Sequence, residues 1–268
     1  MTVTTGKYTN SSNLNSISEY INKLCIGREK AHHIWTEEVP KNIYTCIEDI
    51  RTNRELLHVL KKTFPNSKIT NVREADEIYW AVSPKNAKGS DRSLVDCHYD
   101  APFAAIPTNS TYYRIIVACN ENVDVETQFP NDKINVIMNT GDFHGLDYNK
   151  DFHCVEGSIP KDKFRVLLKL HYLIVPDNID ENSLVVKLNY YLNFFWTKLS
   201  RWFMRVSAEP QNPIEYLAGG LVNISRVVFN TNSFLLLFVF GVFIFSSIYY
   251  RKNILKYFVK VLNKVRHL

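Results

Sequence analysis

Between residues 69 and 175 short apolar runs alternate with turn chemistry, and this alternation constrains the fold more than any other feature of the chain. The runs "EIYWAV", "SLVDCHY", "YYRIIVACN", "KINVIMN", "FHCVEG" and "FRVLLKLHYLIV" are rich in Val, Ile, Tyr and Phe. Branched and flat side chains of this kind suit a pleated, half-buried surface. Between them lie "SPKNAKGSD", "PTNS", "NEN", "FPND", "TGD" and "GSIPKDK", which supply the Gly, Pro, Asn, Asp and Ser that turns need. Many short strands at this spacing predict an all-β sandwich or barrel. Upstream, residues 17–62 read as helical, because "ISEYINKLC" and "NIYTCIEDIRTNRELLHVLKKTF" place apolar residues three to four apart until Pro65 and Asn66 stop the pattern. The opening "MTVTTGKYTNSSNLN" is polar, is expected to be loose, and lacks the apolar stretch of a signal peptide.

The texture changes after Pro176. Residues 184–206, "LVVKLNYYLNFFWTKLSRWFMRV", are aromatic-rich and basic, and long enough for about six helical turns. A linker with Pro210 and Pro213 follows. "FLLLFVFGVFIFSSIYY" (234–250) then runs seventeen residues without a charge and is closed by Arg251 and Lys252, as a short membrane span would be. In the tail, Ile254, Phe258, Val261, Leu262 and Val265 line one helical face while Lys252, Lys256, Lys260 and Lys264 recur on another. A basic amphipathic helix in that place suits an anionic lipid surface. The expected organisation is therefore helical support over 1–66, a β core over 67–183, an amphipathic helix and linker over 184–231, a transmembrane helix over 232–250 and a basic tail over 251–268.

Charge follows the same division. The formal net charge is +5, but the last eighteen residues hold six bases and no acid, leaving −1 for everything before them. Four further bases and no acid fall in 184–206, so the β core and its helices are mildly acidic. That argues against a nucleic-acid-binding surface there. The five cysteines at 25, 46, 97, 119 and 154 have no CxxC spacing, which predicts reduced thiols and a cytosol-facing domain. Orientation is in tension with this: a single C-terminal span puts the tail across the membrane, whereas the positive-inside rule keeps its six bases in the cytosol. A hairpin in which 184–206 also embeds would satisfy both.

The stretch "DCHYDAPF" carries the chemistry. On a strand, His98 and Asp100 project to one face, about 7 Å apart along the backbone, while Cys97 and Tyr99 project to the other. One nitrogen and one oxygen donor can thus converge on an ion, and a second histidine would complete the two-His, one-carboxylate set that holds non-haem Fe(II) with open positions. His144, His153 and His171 are the candidates for that third ligand. His32, His33 and His58 read as ordinary helix residues, and the Tyr112–Tyr113 pair as core.

HxD, a long gap, a histidine, then an arginine opening a strand that holds "LKLHY" resembles the 2-oxoglutarate- and Fe(II)-dependent oxygenases. "GDFHGLDYNKDFHCVEG" and "FRVLLKLHYLIVP" are similar in particular to the closing strands of the aspartyl/asparaginyl β-hydroxylase-like branch, and the resemblance covers residues 69–176. It implies a double-stranded β-helix, or jelly-roll, with supporting N-terminal helices. It implies His98, Asp100 and His153 as ligands of Fe(II), and Arg165 as the bidentate partner of the distal carboxylate of the cosubstrate 2-oxoglutarate. With O2, such enzymes hydroxylate a substrate and release succinate and CO2. That branch usually lacks the acid of HxD, which this chain has as Asp100. Lys169 and His171 share the strand face of Arg165, a polar content unusual for a barrel interior.

The expectation is then a membrane-anchored, single-pass dioxygenase acting on a protein side chain or a lipid. The rival from another class is a catalytically silent jelly-roll that binds or builds structure at a membrane. A cupin-like enzyme with another metal would want more histidines and would leave Arg165 without a role.

Overall fold

A computed structural model describes residues 2–24, 32–81, 97–101, 103, 109–157, 159, 164–208, 210–213, 215 and 216. The chain divides into a compact unit, Met1–Arg205, and a second unit, Val206–Leu268. The expected span and the basic tail lie outside the described residues, and none of the described helices is long and apolar enough to cross a membrane.

Two antiparallel sheets make up the first unit. The larger has the order β1-β8-β5-β10-β4-β2, with β3 also pairing to β10; the smaller has the order β7-β6-β9. The strands of the larger sheet are β1 (Thr4–Lys7), β2 (His32–Trp35), β3 (Ser67–Asn71), β4 (Glu77–Ala81), β5 (Thr111–Ala118), β8 (Asp142–Asp147) and β10 (Arg165–Pro176). Those of the smaller are β6 (Asn122–Phe129), β7 (Ile134–Met138) and β9 (Cys154–Gly157). Helices α1 (Ser11–Leu24), α2 (Lys41–Arg51) and α3 (Arg54–Thr63) precede most of the sheet, and α4 (Leu184–Ala208) follows it.

Strand alternation sorts the larger sheet into two faces. Ile78, Trp80, Ile115, Val117, Val166, Leu168, Leu170 and Tyr172 pack against Ile17, Ile21, Ile43, Ile47, Ile50, Leu56 and Leu60 of the helices. Tyr79, Ala81, Ile116, Ala118, Leu146 and Leu167 pack against Val125, Phe129, Val136 and Met138 of the smaller sheet. Covered on both faces, β10 is buried from Arg165 to Val175, which explains its unbroken apolar run. Arg165, Lys169 and His171 have the same parity as Leu167 and so face the smaller sheet. The helices follow their caps: Asn53 accepts the backbone N–H groups of Glu55 (2.9 Å) and Leu56 (3.3 Å) and caps α3, which starts three residues after α2 ends.

Three expectations are corrected. The N-terminus is tied down, since β1 pairs with β8 from Thr4↔Gly145 to Lys7↔Asp142. The 17–62 stretch is not helical throughout: His33 lies on β2, which pairs with β4 because a sheet edge was available there. Finally, among the described residues "HYD" contributes one isolated bridge, His98↔His153, and residues 93–96 of the expected run "SLVDCHY" lie outside them.

Candidate metal centre

Two short segments meet at the bridge. His98 N–H donates to the His153 carbonyl (2.9 Å), and His153 N–H returns the bond to His98 (3.0 Å). One residue further along each segment, at the adjacent cross-strand position, Cys97 and Cys154 are joined by a disulfide. This overturns the expectation of reduced thiols for these two residues, and with it their share of the case for a cytosol-facing domain. Their separation of 57 residues hides a pairing that only the antiparallel register creates. Cys46 and Cys119 are free thiols.

The bridge brings His98, Asp100 and His153 together, with one donor atom from each inside a 4.8 Å cluster. Donors at about 2.1 Å from a shared ion lie roughly 3 to 4 Å apart, so a modest side-chain rotation closes the set. His98 Nε2 is already 3.9 Å from Asp100 Oδ1, and the two imidazole centroids are 4.5 Å apart. His153 Nδ1 sits 3.1 Å from the Asp151 carbonyl, which can only accept; Nδ1 therefore carries the hydrogen and Nε2 keeps its lone pair. Burial pushes the His153 imidazole down to about 4, so it is neutral at pH 7. Burial opposes ionisation of Asp100, but Arg114, His153, His98 and Lys169 together hold its carboxyl well below the usual range. Two imidazoles and one anionic oxygen form a donor set suited to Fe(II).

The other two histidine candidates are not in this cluster. His144 is on β8 rather than in a turn, buried, with Nδ1 3.2 Å from the Met138 sulfur. His171, on β10, sits between Arg114 Nε (2.9 Å) and Asp76.

Arg165 opens β10 and is 6% exposed. It has no carboxylate partner among the described residues, its Nε is without a hydrogen bond there, and burial lowers its pKa to about 10. Lys169, two positions further along the same face, is the contrast: its Nζ lies 3.4 Å from Glu77 Oε1. Glu77 also takes two 2.6 Å bonds from Arg201 and faces His33 Nδ1 at 2.8 Å. A buried guanidinium with no carboxylate partner among the described residues has the chemistry to receive an anionic group.

Sequence reasoning missed Arg114, Glu77 and the α4 contribution. Arg114 donates to Asp100 Oδ2 at 2.7 Å, and Trp196 of α4 donates its indole N–H to the Asp100 carbonyl at 2.9 Å. The available signal was a lone charge inside an apolar strand, "YYRIIV" and "EIYWA".

No protein-family model matches the chain, and no curated protein matches it. Solved structures similar to it include the viral collagen prolyl hydroxylase of Paramecium Bursaria Chlorella virus-1, 13% identical, TM-score 0.43, covering 65% of this chain and 96% of that one. The alpha ketoglutarate-dependent carbocyclase SnoK from nogalamycin biosynthesis is 9% identical, TM-score 0.46, covering 68% and 84%. A prolyl 4-hydroxylase from Phytophthora capsici is 14% identical, TM-score 0.43, covering 99% and 88%. Likeness of this degree carries no functional weight; the side chains do.

Proposed function

We propose that this chain is an Fe(II)- and 2-oxoglutarate-dependent dioxygenase on a double-stranded β-helix, anchored to a membrane through residues 232–250 and hydroxylating a protein side chain or a lipid. The carrying observation is the pairing of two features: the cluster of His98, Asp100 and His153, and the buried Arg165 with no carboxylate partner among the described residues. Each residue has a task. His98 and His153 offer imidazole nitrogens, and the Asp151 carbonyl fixes which nitrogen of His153 is free. Asp100 offers an ionised oxygen at any pH above the acid range. Arg165 pairs with the distal carboxylate of 2-oxoglutarate through its planar fork, while Lys169 is occupied by Glu77 and does not compete. Iron, when bound with 2-oxoglutarate and O2, supplies the oxidising chemistry and yields succinate and CO2 as co-products.

The membrane part of the proposal is supported by the uncharged run and the basic residues that close it. Protease protection of the two termini in intact vesicles fixes which side the β core occupies. The enzymatic part is tested with the detergent-solubilised 268-residue chain, loaded anaerobically with Fe(II). It should convert 2-oxoglutarate to succinate slowly even without substrate. His98→Ala and Asp100→Ala should each abolish that turnover; unchanged turnover in either variant refutes the assignment, and absence of iron uptake favours the silent-domain reading. Comparative mass spectrometry of a lysate, with and without the enzyme, then seeks products heavier by one oxygen.

A further inference from the structure

We infer that Arg114 is a positioning residue for the proposed iron centre, holding one oxygen of Asp100 so that the carboxylate presents only the other to the ion. The inference rests on the oxygenase reading. Arg114 lies on β5 directly opposite His171 of β10, and its side chain is 1% exposed. Nη1 donates to Asp100 Oδ2 at 2.7 Å, which leaves Oδ1, the oxygen nearer His98, uncommitted.

The guanidinium is fixed from behind. Its Nε donates to His171 Nε2 at 2.9 Å. Arginine has no acceptor atom, so His171 must present a lone pair at Nε2 and carry its hydrogen on Nδ1, which faces Asp76 Oδ1 at 3.3 Å. Asp76 also accepts the backbone N–H of His171 at 2.6 Å and is held by Arg51. On its open side the Arg114 guanidinium lies 4.4 Å from the centroid of the Tyr148 ring, and Nη2 is 3.9 Å from Glu77 Oε1. A line of buried groups thus runs Asp100, Arg114, His171, Asp76, Arg51. None of its inner members can rotate without leaving a buried polar atom unpaired.

The consequence is chemical. A free carboxylate can chelate an ion through both oxygens. One clamped at Oδ2 is restricted to a single bond through Oδ1, which keeps a further coordination position open for a bidentate keto acid. Partners at this distance from an ion commonly alter metal affinity by 10–100-fold.

The test uses the full chain and Co(II) as a spectroscopic probe, with Fe(II) affinity measured in parallel under anaerobic conditions. Arg114→Lys keeps the charge but loses the fork that spans Asp100 and His171. It should weaken Fe(II) binding by about 10–100-fold and change the visible Co(II) spectrum, which reports coordination number and symmetry. A merely structural role would lower the denaturation midpoint and leave the spectrum of the loaded protein as in wild type. If Arg114→Lys does not fold, His171→Gln takes its place: Arg114 stays, the ring behind it goes, and the same spectral change is expected with a smaller loss of affinity. Wild-type affinity and spectrum in whichever variant folds overturn the inference and leave the oxygenase reading standing. Failure of wild type itself to bind either ion overturns that reading and the inference with it.

Discussion

Arg165 and Lys169 point the same way from one strand, yet their surroundings give them opposite roles. Lys169 is tied to Glu77, and burial brings its pKa down to about 7. Arg165 carries a buried charge with no carboxylate partner among the described residues, a cost to the folded chain that a bound carboxylate would offset. Arg165→Met should therefore act in two directions. The half-saturating 2-oxoglutarate concentration in the succinate assay should rise by about 100-fold, since hydrogen bonds to charged groups contribute roughly 1.5–3 kcal/mol each. Stability of the metal-free protein should increase by about 1–3 kcal/mol in a denaturant titration. A variant that loses both stability and affinity would show Arg165 to be structural. At this scale the sequence was informative where chemistry is tied to spacing, as in His98 and Asp100. It was silent on Arg114, whose partner Asp100 lies fourteen residues away in the chain.

At the scale of elements, apolar runs were legible and polar strands were not. β4, β5, β7 and β10 coincide with the runs quoted above, because burial on one or both faces demands apolar residues. β6, "NVDVETQF", belongs to the smaller sheet and exposes much of one face, so its pattern is weak. β8, "DFHGLD", is buried, but its Asp, His and Gly disguise it as a turn. Gly145 is needed there because a Cβ would lie 2.5 Å from the Tyr113 hydroxyl. The disulfide belongs to this scale too, since it staples the two segments that carry His98 and His153. Closing a loop of 57 residues contributes about 4 kcal/mol in the chain-entropy account. A reductant should lower the denaturation midpoint of wild type accordingly, release two further titratable thiols, and have no such effect on the Cys97→Ser/Cys154→Ser double variant. A wild-type midpoint indifferent to reduction, with the two thiols demonstrably released, contradicts this.

For the whole molecule, the packing of a polar interior sets the response to acid. Burial holds His33 and His144 down to about 3 and His171 well below its ordinary value, so all three are neutral in the fold and protonate once it opens. At these rings the unfolded chain then binds more protons below pH 6.5, and each lowers stability by about 1.4 kcal/mol per pH unit down toward pH 3; burial acts the other way on Asp76, whose carboxyl is raised to about 7, and on Asp147 and Asp151, also raised, which hold protons in the fold and offset part of that loss. Asp100 and Glu77, held low by neighbouring cations against the effect of burial, add to the same trend below their ordinary range. Denaturation midpoints of the metal-free protein at pH 7.5, 6 and 5 should fall less in a His144→Gln variant than in wild type, because one buried ring that protonates on unfolding is gone; identical slopes would mean that this ring is not buried as described.

The last helix of the compact unit has a practical consequence. Its Trp196 reaches the backbone of Asp100, its Arg201 is bound to Glu77, and Asn189 donates to the Ser110 carbonyl at 3.0 Å. Anyone trimming the chain for expression in water should cut beyond Arg205. A fragment stopped at the end of the β core would look complete by its strands and would have lost the wall on which its ligand loop leans.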